Sequence, residues 1–191
     1  MFILSLVLTL ATSVSAATGV TGGDFTATVS SDGSCLVSLE LQIHLEGNNQ
    51  NLIFPLPAEA KGITINGKAA RTTISGDTRG VKLSSVLGNV TGDFNVRLQY
   101  TLPSVVDFND TNKLILTLPM LSGFYYPVRD ITFTIHIPGD FELRPDFISG
   151  YYSQSIESSL SYRVEGNSIT GTVIKELKDR ETLTMTMAVP Q

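Results

Sequence analysis

Between Asp130 and Pro138 the chain alternates without a slip: Ile131, Phe133, Ile135 and Ile137 are apolar, while Thr132, Thr134 and His136 are polar. A strand sends successive side chains to opposite faces, so this period of two predicts one core face and one wet face. β-Branched and aromatic residues dominate the run, as suits a half-buried pleated surface. Pro138 then removes a ladder donor, and Pro138-Gly139-Asp140 reads as a turn. Upstream, Lys113–Leu118 predicts the preceding strand, with Pro119 ending it. Leu121–Val128 predicts an aromatic elbow, because the residue before Pro127 is pushed out of the helical region.

The rest of the chain repeats this pattern of short alternating runs and tight turns. Asp24–Ser30 predicts a strand, and Asp32-Gly33 a hairpin turn of the primed kind, leading into a long strand over Ser34–Leu45. Leu52–Leu56 is short and mostly apolar, and Pro55 and Pro57 place it at a sheet edge. Ile63–Ile74 predicts a hairpin around Asn66-Gly67. Val81–Ser84 and Asp93–Leu102 are further strands. Pro103–Asn112 is proline-led and rich in Asx residues, which marks it as a linker or junction between sheets. Phe141–Ile148 reads as irregular and Tyr151–Ser159 as a loop. Leu160–Val164 and Ser168–Ile174 predict a hairpin around Glu165-Gly166-Asn167, and Glu181–Val189 a last strand. No long amphipathic helix is present. Many strands at short spacing predict an all-β chain of two closely apposed antiparallel β-sandwich (Ig-like) units, residues 17–103 and 104–191.

Residues 1–16 are a separate matter. Phe2–Ala11 is too short an apolar run to span a membrane, and Val14-Ser15-Ala16 supplies small residues for cleavage, so the segment predicts a secretory signal peptide. No Lys or Arg precedes the run. The expected compartment is therefore extracytoplasmic. A net charge of −5 argues against nucleic acid and anionic membrane surfaces, which both need a basic face. Cys35 is the only cysteine, which excludes an intrachain disulfide. Its alternation with Val37, Leu39 and Leu41 predicts a buried, inert thiol rather than a nucleophile.

Candidate sites are few. His44 and His136 are the only histidines, each on the polar face of a strand, where the ordinary reading is a solvated side chain rather than a catalytic or metal-binding one. There is no HExxH, paired-cysteine or GxSxG pattern, so zinc and serine-nucleophile chemistry are disfavoured. Asp107, Asn109 and Asp110 gather hard oxygens that suit calcium, but without a bidentate Glu at fixed spacing a pair of Asx turns explains them better. Tyr125, Tyr126, Tyr151 and Tyr152 could form a stacking platform for sugar or peptide, against the plainer reading of half-buried tyrosines with wet hydroxyls. Asn89-Val90-Thr91 and Asn109-Asp110-Thr111 are glycosylation sequons that matter only in a glycosylating host. No residue is assigned a catalytic, cofactor-binding or metal-binding role.

The order of several pieces resembles the N-terminal region of a bacterial predicted-membrane-protein family, domain of unknown function 2207. These are Ser31-Asp32-Gly33-Ser34, Leu98-Gln99-Tyr100, the Val106 to Leu114 junction, Tyr126-Pro127-Val128, Ile137-Pro138, and Leu177 through Glu181-Thr182-Leu183-Thr184. The resemblance implies an exported β region followed by transmembrane helices, and it supplies no catalytic residues. The sequence departs from the family where Leu52–Pro57 stands in place of an arginine-containing segment. It also has no membrane helix up to Gln191, which leaves an ectodomain of a longer protein or a secreted relative. The expectation is a non-catalytic ectodomain of a membrane-anchored bacterial envelope protein, with an unknown protein or glycan partner at the cell surface and no cofactor. A carbohydrate- or peptide-binding adhesin-like module is the first alternative, and a small hydrolase the second.

Overall fold

The computed structural model describes residues 17–47, 52–108, 114–139, 144–150, 154–155 and 159–188. The expected signal segment, Tyr151, Tyr152, Asn109 and Asp110 lie outside them. In chain order the strands are β1 (Gly19–Val29), β2 (Cys35–Leu45), β3 (Ile53–Pro57), β4 (Lys61–Ile65), β5 (Lys68–Ala69), β6 (Thr72–Ser75) and β7 (Thr78–Lys82). After a single helical turn, α1 (Ser84–Leu87), come β8 (Gly92–Leu102), β9 (Val106–Phe108), β10 (Leu114–Ser122), β11 (Ile131–His136) and β12 (Asp146–Ser149). The last four are β13 (Gln154–Ser155), β14 (Leu160–Glu165), β15 (Ser168–Val173) and β16 (Thr182–Ala188). The chain is all-β, as its alternation predicts. Among the described residues no helix is long and apolar enough to cross a membrane.

Among the described residues the strands form three sheets. The largest runs β14-β15-β11-β1-β2-β8-β4-β5, a second runs β13-β12-β16-β10-β9, and a small one runs β3-β7-β6. Every pair is antiparallel except β1 with β11, which run parallel with Gly23 opposite Ile131 and Thr28 opposite His136. The expected division after residue 103 is therefore crossed by the largest sheet, which takes β1, β2 and β8 from one side and β11, β14 and β15 from the other. Alternation fixes which face is which. Along β2 the odd-numbered residues from Cys35 to Leu45 are all buried while Leu36, Glu40 and Gln42 are exposed. The inner faces meet through Phe133 on β11 and Phe147 on β12, with ring centroids 5.5 Å apart, and Phe147 also packs on Tyr162 at 5.1 Å. Burying aliphatic and aromatic side chains of this kind stabilises the packing of the sheets by about 1.5–3 kcal/mol each.

Several local expectations change. β1 starts five residues before Asp24, running through Gly22 and Gly23. A Cβ at Gly23 would lie 2.3 Å from the Glu40 carbonyl oxygen, so the strands close only because a glycine is there. The β1–β2 turn is not a primed two-residue turn. Both primed types need positive φ at the first central residue, and here only the second, Gly33, has it (φ 81°) while Asp32 does not. Instead Ser30 N–H donates to the Ser34 carbonyl, and Asp32 accepts from both the Ser34 amide (2.9 Å) and hydroxyl (2.7 Å). Asn66-Gly67 does turn a hairpin, with φ of 49° and 76°, but Ile74 belongs to a second one, β6–β7, that turns at Gly76. Pro119 does not end its strand: β10 runs on to Ser122 through a register shift between Pro119 and Leu121, a bulge being the place a sheet tolerates proline. The junction after Pro103 holds β9, paired with β10, and the segment expected to be irregular holds β12. β3 is an edge strand, as its prolines require.

Candidate functional site

The outer face of the largest sheet is assembled in rows by strand register. One row sets Thr132 of β11 beside Asp24 of β1, Glu40 of β2 and Arg97 of β8. The Thr132 hydroxyl donates to the Asp24 carboxylate, and Glu40 pairs with the Arg97 guanidinium at 2.5 Å. Beside this row the face dips into an open trough of about 610 Å³. Its walls carry Asp24, Glu40, Gln42, Asn95 and Arg97, and the tip of the β4–β5 hairpin closes one end. Gly23 forms part of the floor because it brings no side chain. The hairpin tip is held there by its own backbone: the Asn66 amide donates to the Arg97 carbonyl at 2.8 Å, while its side-chain oxygen accepts from the Arg97 amide at 2.8 Å. The trough offers carboxylates, planar amides and one guanidinium and has no aromatic wall. Such a set can hydrogen-bond a hydroxyl- or amide-bearing ligand.

The two histidines are kept apart. β1 pairs Gly19 with His44 and Thr28 with His136, so nine residues separate them along one strand. At the strand rise that is about 30 Å. His44 Nδ1 lies 2.7 Å from Asp93 Oδ1, with no hydroxyl or thiol nucleophile in the pair, and it does not line the trough. His136 Nδ1 lies 2.9 Å from Ser168 Oγ, while the carboxylate in that row, Glu165, stands opposite Ser168 rather than beside the imidazole. A nucleophile–base pair needs its carboxylate on the far side of the base, so the order here is the wrong one.

Among the described residues three groups have their acidity moved by the fold, and all move away from neutrality. Burial pushes the Cys35 thiol up to about 11, and burial raises the Tyr100 phenol further. The two Ser34 hydrogen bonds hold the Asp32 carboxyl below its ordinary value. A base or nucleophile for work near neutral pH would be shifted toward it instead. Tyr125 is exposed, with its ring 5.2 Å from the Arg180 guanidinium carbon, whereas Tyr126 is half-buried and edge-on to Phe124 at 5.4 Å. The two rings thus diverge, one wet and one packed. Asp107 sits on β9, and among the described residues no three His, Cys, Asp or Glu side chains gather as a metal site would require. Sequence reasoning missed the trough. Each of its residues reads merely as an outward position on its own strand, and only the pairing of β1, β2 and β8 brings them together.

No family model matches the sequence, and no curated protein matches it. Among solved structures the fold is similar to native yeast LTA4 hydrolase, with a TM-score of 0.50 and 13% identity over 91% of this chain and 30% of that one. An M1 zinc metallopeptidase from Deinococcus radiodurans matches with a TM-score of 0.43 and 12% identity, covering 88% of this chain and 42% of that one. A two-domain M1 zinc metallopeptidase bound to L-tryptophan gives 0.43 and 14% over the same shares. The chain spans less than half the length of these proteins, and the likeness to the yeast hydrolase is one of fold.

Proposed function

We propose that this chain is a non-catalytic, outward-facing β-sheet module of a membrane-anchored bacterial envelope protein, acting by binding rather than by bond breaking. The observation that carries the reading is the separation of the two histidines across β1, each with a partner that completes no nucleophile–base–carboxylate series. The acidity shifts at Cys35, Tyr100 and Asp32 point the same way. The resemblance to domain of unknown function 2207 adds export and a membrane tether to the proposal. Within it, the polar trough between Asp24 and Arg97 is the better ligand face than Tyr125 and Tyr126, and its donors and acceptors suit a hydroxylated ligand such as a glycan. The test has two arms. Purified protein is assayed against peptide, ester and glycoside substrates with and without zinc, and intact source cells are labelled with a membrane-impermeant amine reagent. No turnover above buffer and labelling without lysis are expected. Turnover abolished by His44→Ala or His136→Ala, or labelling only after lysis, overturns the proposal.

A second reading rests on the fold likeness to a hydrolase of which this chain spans 30%. The module would then serve as the β-rich part of a larger hydrolytic assembly, with the chemistry housed elsewhere. Recovery of a hydrolase with the native protein, losing activity when this chain is depleted, would favour it over the first.

A further inference from the structure

The charge of the chain is unevenly placed. Residues 61–82 hold five cations, Lys61, Lys68, Arg71, Arg79 and Lys82, against one carboxylate, Asp77, a net of +4 in a chain whose total is −5. The remainder therefore carries −9. Arg79 is spent inside the fold, its Nε and Nη2 donating to the Ala58 carbonyl at 3.1 and 2.8 Å and its Nη1 to Thr72 Oγ1 at 3.2 Å. The other four are exposed, and none pairs with a carboxylate among the described residues. Two of them are cross-strand neighbours: the Lys82 amide donates to the Arg71 carbonyl at 3.1 Å, which sets both side chains on one face of the small sheet. Like charges placed opposite one another in a sheet are destabilising unless something answers them.

From Arg71 onward runs an open edge. β6 is the terminal strand of the small sheet, and its pairing with β7 closes Ser75 against Thr78 and Thr73 against Gly80. With Arg71 and the alternate residues bonded toward β7, the amides and carbonyls of Thr72 and Ile74 point away from the sheet, where no described residue meets them. Edge strands are ordinarily guarded by an inward charge, a proline or a bulge. β6 is short, at four residues, but has none of these, and Ile74 is 54% exposed.

We propose that the β6 edge, preceded by Arg71 with Lys82 opposite it, is a docking site for an acidic, extended peptide segment added as a fourth strand. The edge supplies the backbone hydrogen bonds and Ile74 an apolar contact, while Arg71 and Lys82 select carboxylates on the incoming strand. This goes beyond the module's proposed role and needs neither the trough nor the membrane tether.

The test measures binding of a fluorescent, terminally blocked octapeptide of alternating glutamate and valine to the intact protein, by anisotropy at low and high salt. Saturable binding is expected, weakened roughly tenfold by Arg71→Glu with Lys82→Glu, and likewise by Ile74→Pro, which removes an outward amide without breaking a β7 bond. The same peptide N-methylated at alternate residues keeps its charge and loses its donors, so its failure to bind wild-type protein tests the strand-addition geometry without any variant. Equal binding of the methylated peptide, or of polyglutamate and anionic vesicles through the same cations, would reduce the site to an electrostatic surface and overturn the proposal. Absence of binding by the octapeptide would overturn it too.

Discussion

Gly171 offers the sharpest test of how the two large sheets close. It lies on β15 opposite Phe133 of β11 and Tyr162 of β14, on the inner face of the largest sheet. A Cβ there would stand 2.5 Å from Phe133 Cζ, 2.5 Å from the Ser161 carbonyl oxygen and 2.8 Å from Tyr162 Cβ. The ring can turn, but the carbonyl belongs to a paired strand and cannot retreat without loosening the β14–β15 ladder. Overpacking of this kind costs about 1–3 kcal/mol. Alanine regains about 0.5–1 kcal/mol by narrowing the unfolded ensemble. With two of the three contacts made to atoms of the paired strand, the cost falls at the upper end, and Gly171→Ala is expected to lose about 2 kcal/mol net. For a chain of this size that corresponds to a melting midpoint lower by about 4–8 °C. Circular dichroism melts of wild type, Gly171→Ala, Phe133→Leu and the double variant form a cycle. Removing the ring tip should recover part of the alanine penalty, on the order of 0.5–1 kcal/mol, while the carbonyl contact keeps the rest. A single variant that melts at or above wild type refutes the reasoning, since the glycine would then not be required for packing.

Further outcomes follow from particular contacts. Cys35 is buried and its thiol pushed up to about 11, so at pH 8 it should resist iodoacetamide in native protein and react once urea unfolds the chain. The raised value also means that its stabilising contribution is complete below pH 9 and fades as pH climbs toward 11, visible as a falling urea midpoint in that window. Glu181→Ala should cost about 1–3 kcal/mol in chemical denaturation, because the carboxylate accepts from the buried Ser149 hydroxyl at 2.9 Å and from the Lys178 amide at 2.9 Å. Arg79→Met removes the fork on the Ala58 carbonyl and should cost about 1.5–3 kcal/mol, with hydrogen exchange rising first in β6 and β7. Asp32, held low by Ser34, should titrate below an ordinary aspartate by NMR, and Ser34→Ala should bring it back up; its contribution to stability is present above pH 3.8 and is lost as pH falls through its native value.

Alternation carried much of the fold. β2, β8, β11 and β16 lie where their period of two places them, because a half-buried strand writes its faces directly into the sequence. Asn66-Gly67 was equally legible, since both residues can take the positive φ that the turn needs. Features that depend on a partner strand were not. The run of β10 through Pro119 depends on a bulge against β16, and the early start of β1 depends on glycines that let β2 come close. The parallel pairing of β1 with β11 leaves no local signature, because neither strand's pattern names its neighbour. The same limit hid the trough and the pairing of His44 with Asp93, whose residues lie on different strands. The unguarded β6 edge was masked by the expectation of one hairpin across Ile63–Ile74, and its basic surroundings by a negative total charge.

The parallel pair also sets an order of events. β1 lies in the interior of the largest sheet, and on one side its neighbouring strand β11 sets Ile131 opposite Gly23, 108 residues further along the chain. A hairpin with β2 can form early, but until β11 arrives the other edge of β1 stays bare. Contacts of such long sequence separation make folding slow, because loop closure must be met before the sheet rewards it. Synthesis therefore delivers the first hundred residues well before the protein can complete its central sheet. Until residues 131–136 have emerged, the nascent chain offers the bare edge of β1 to any other strand it meets.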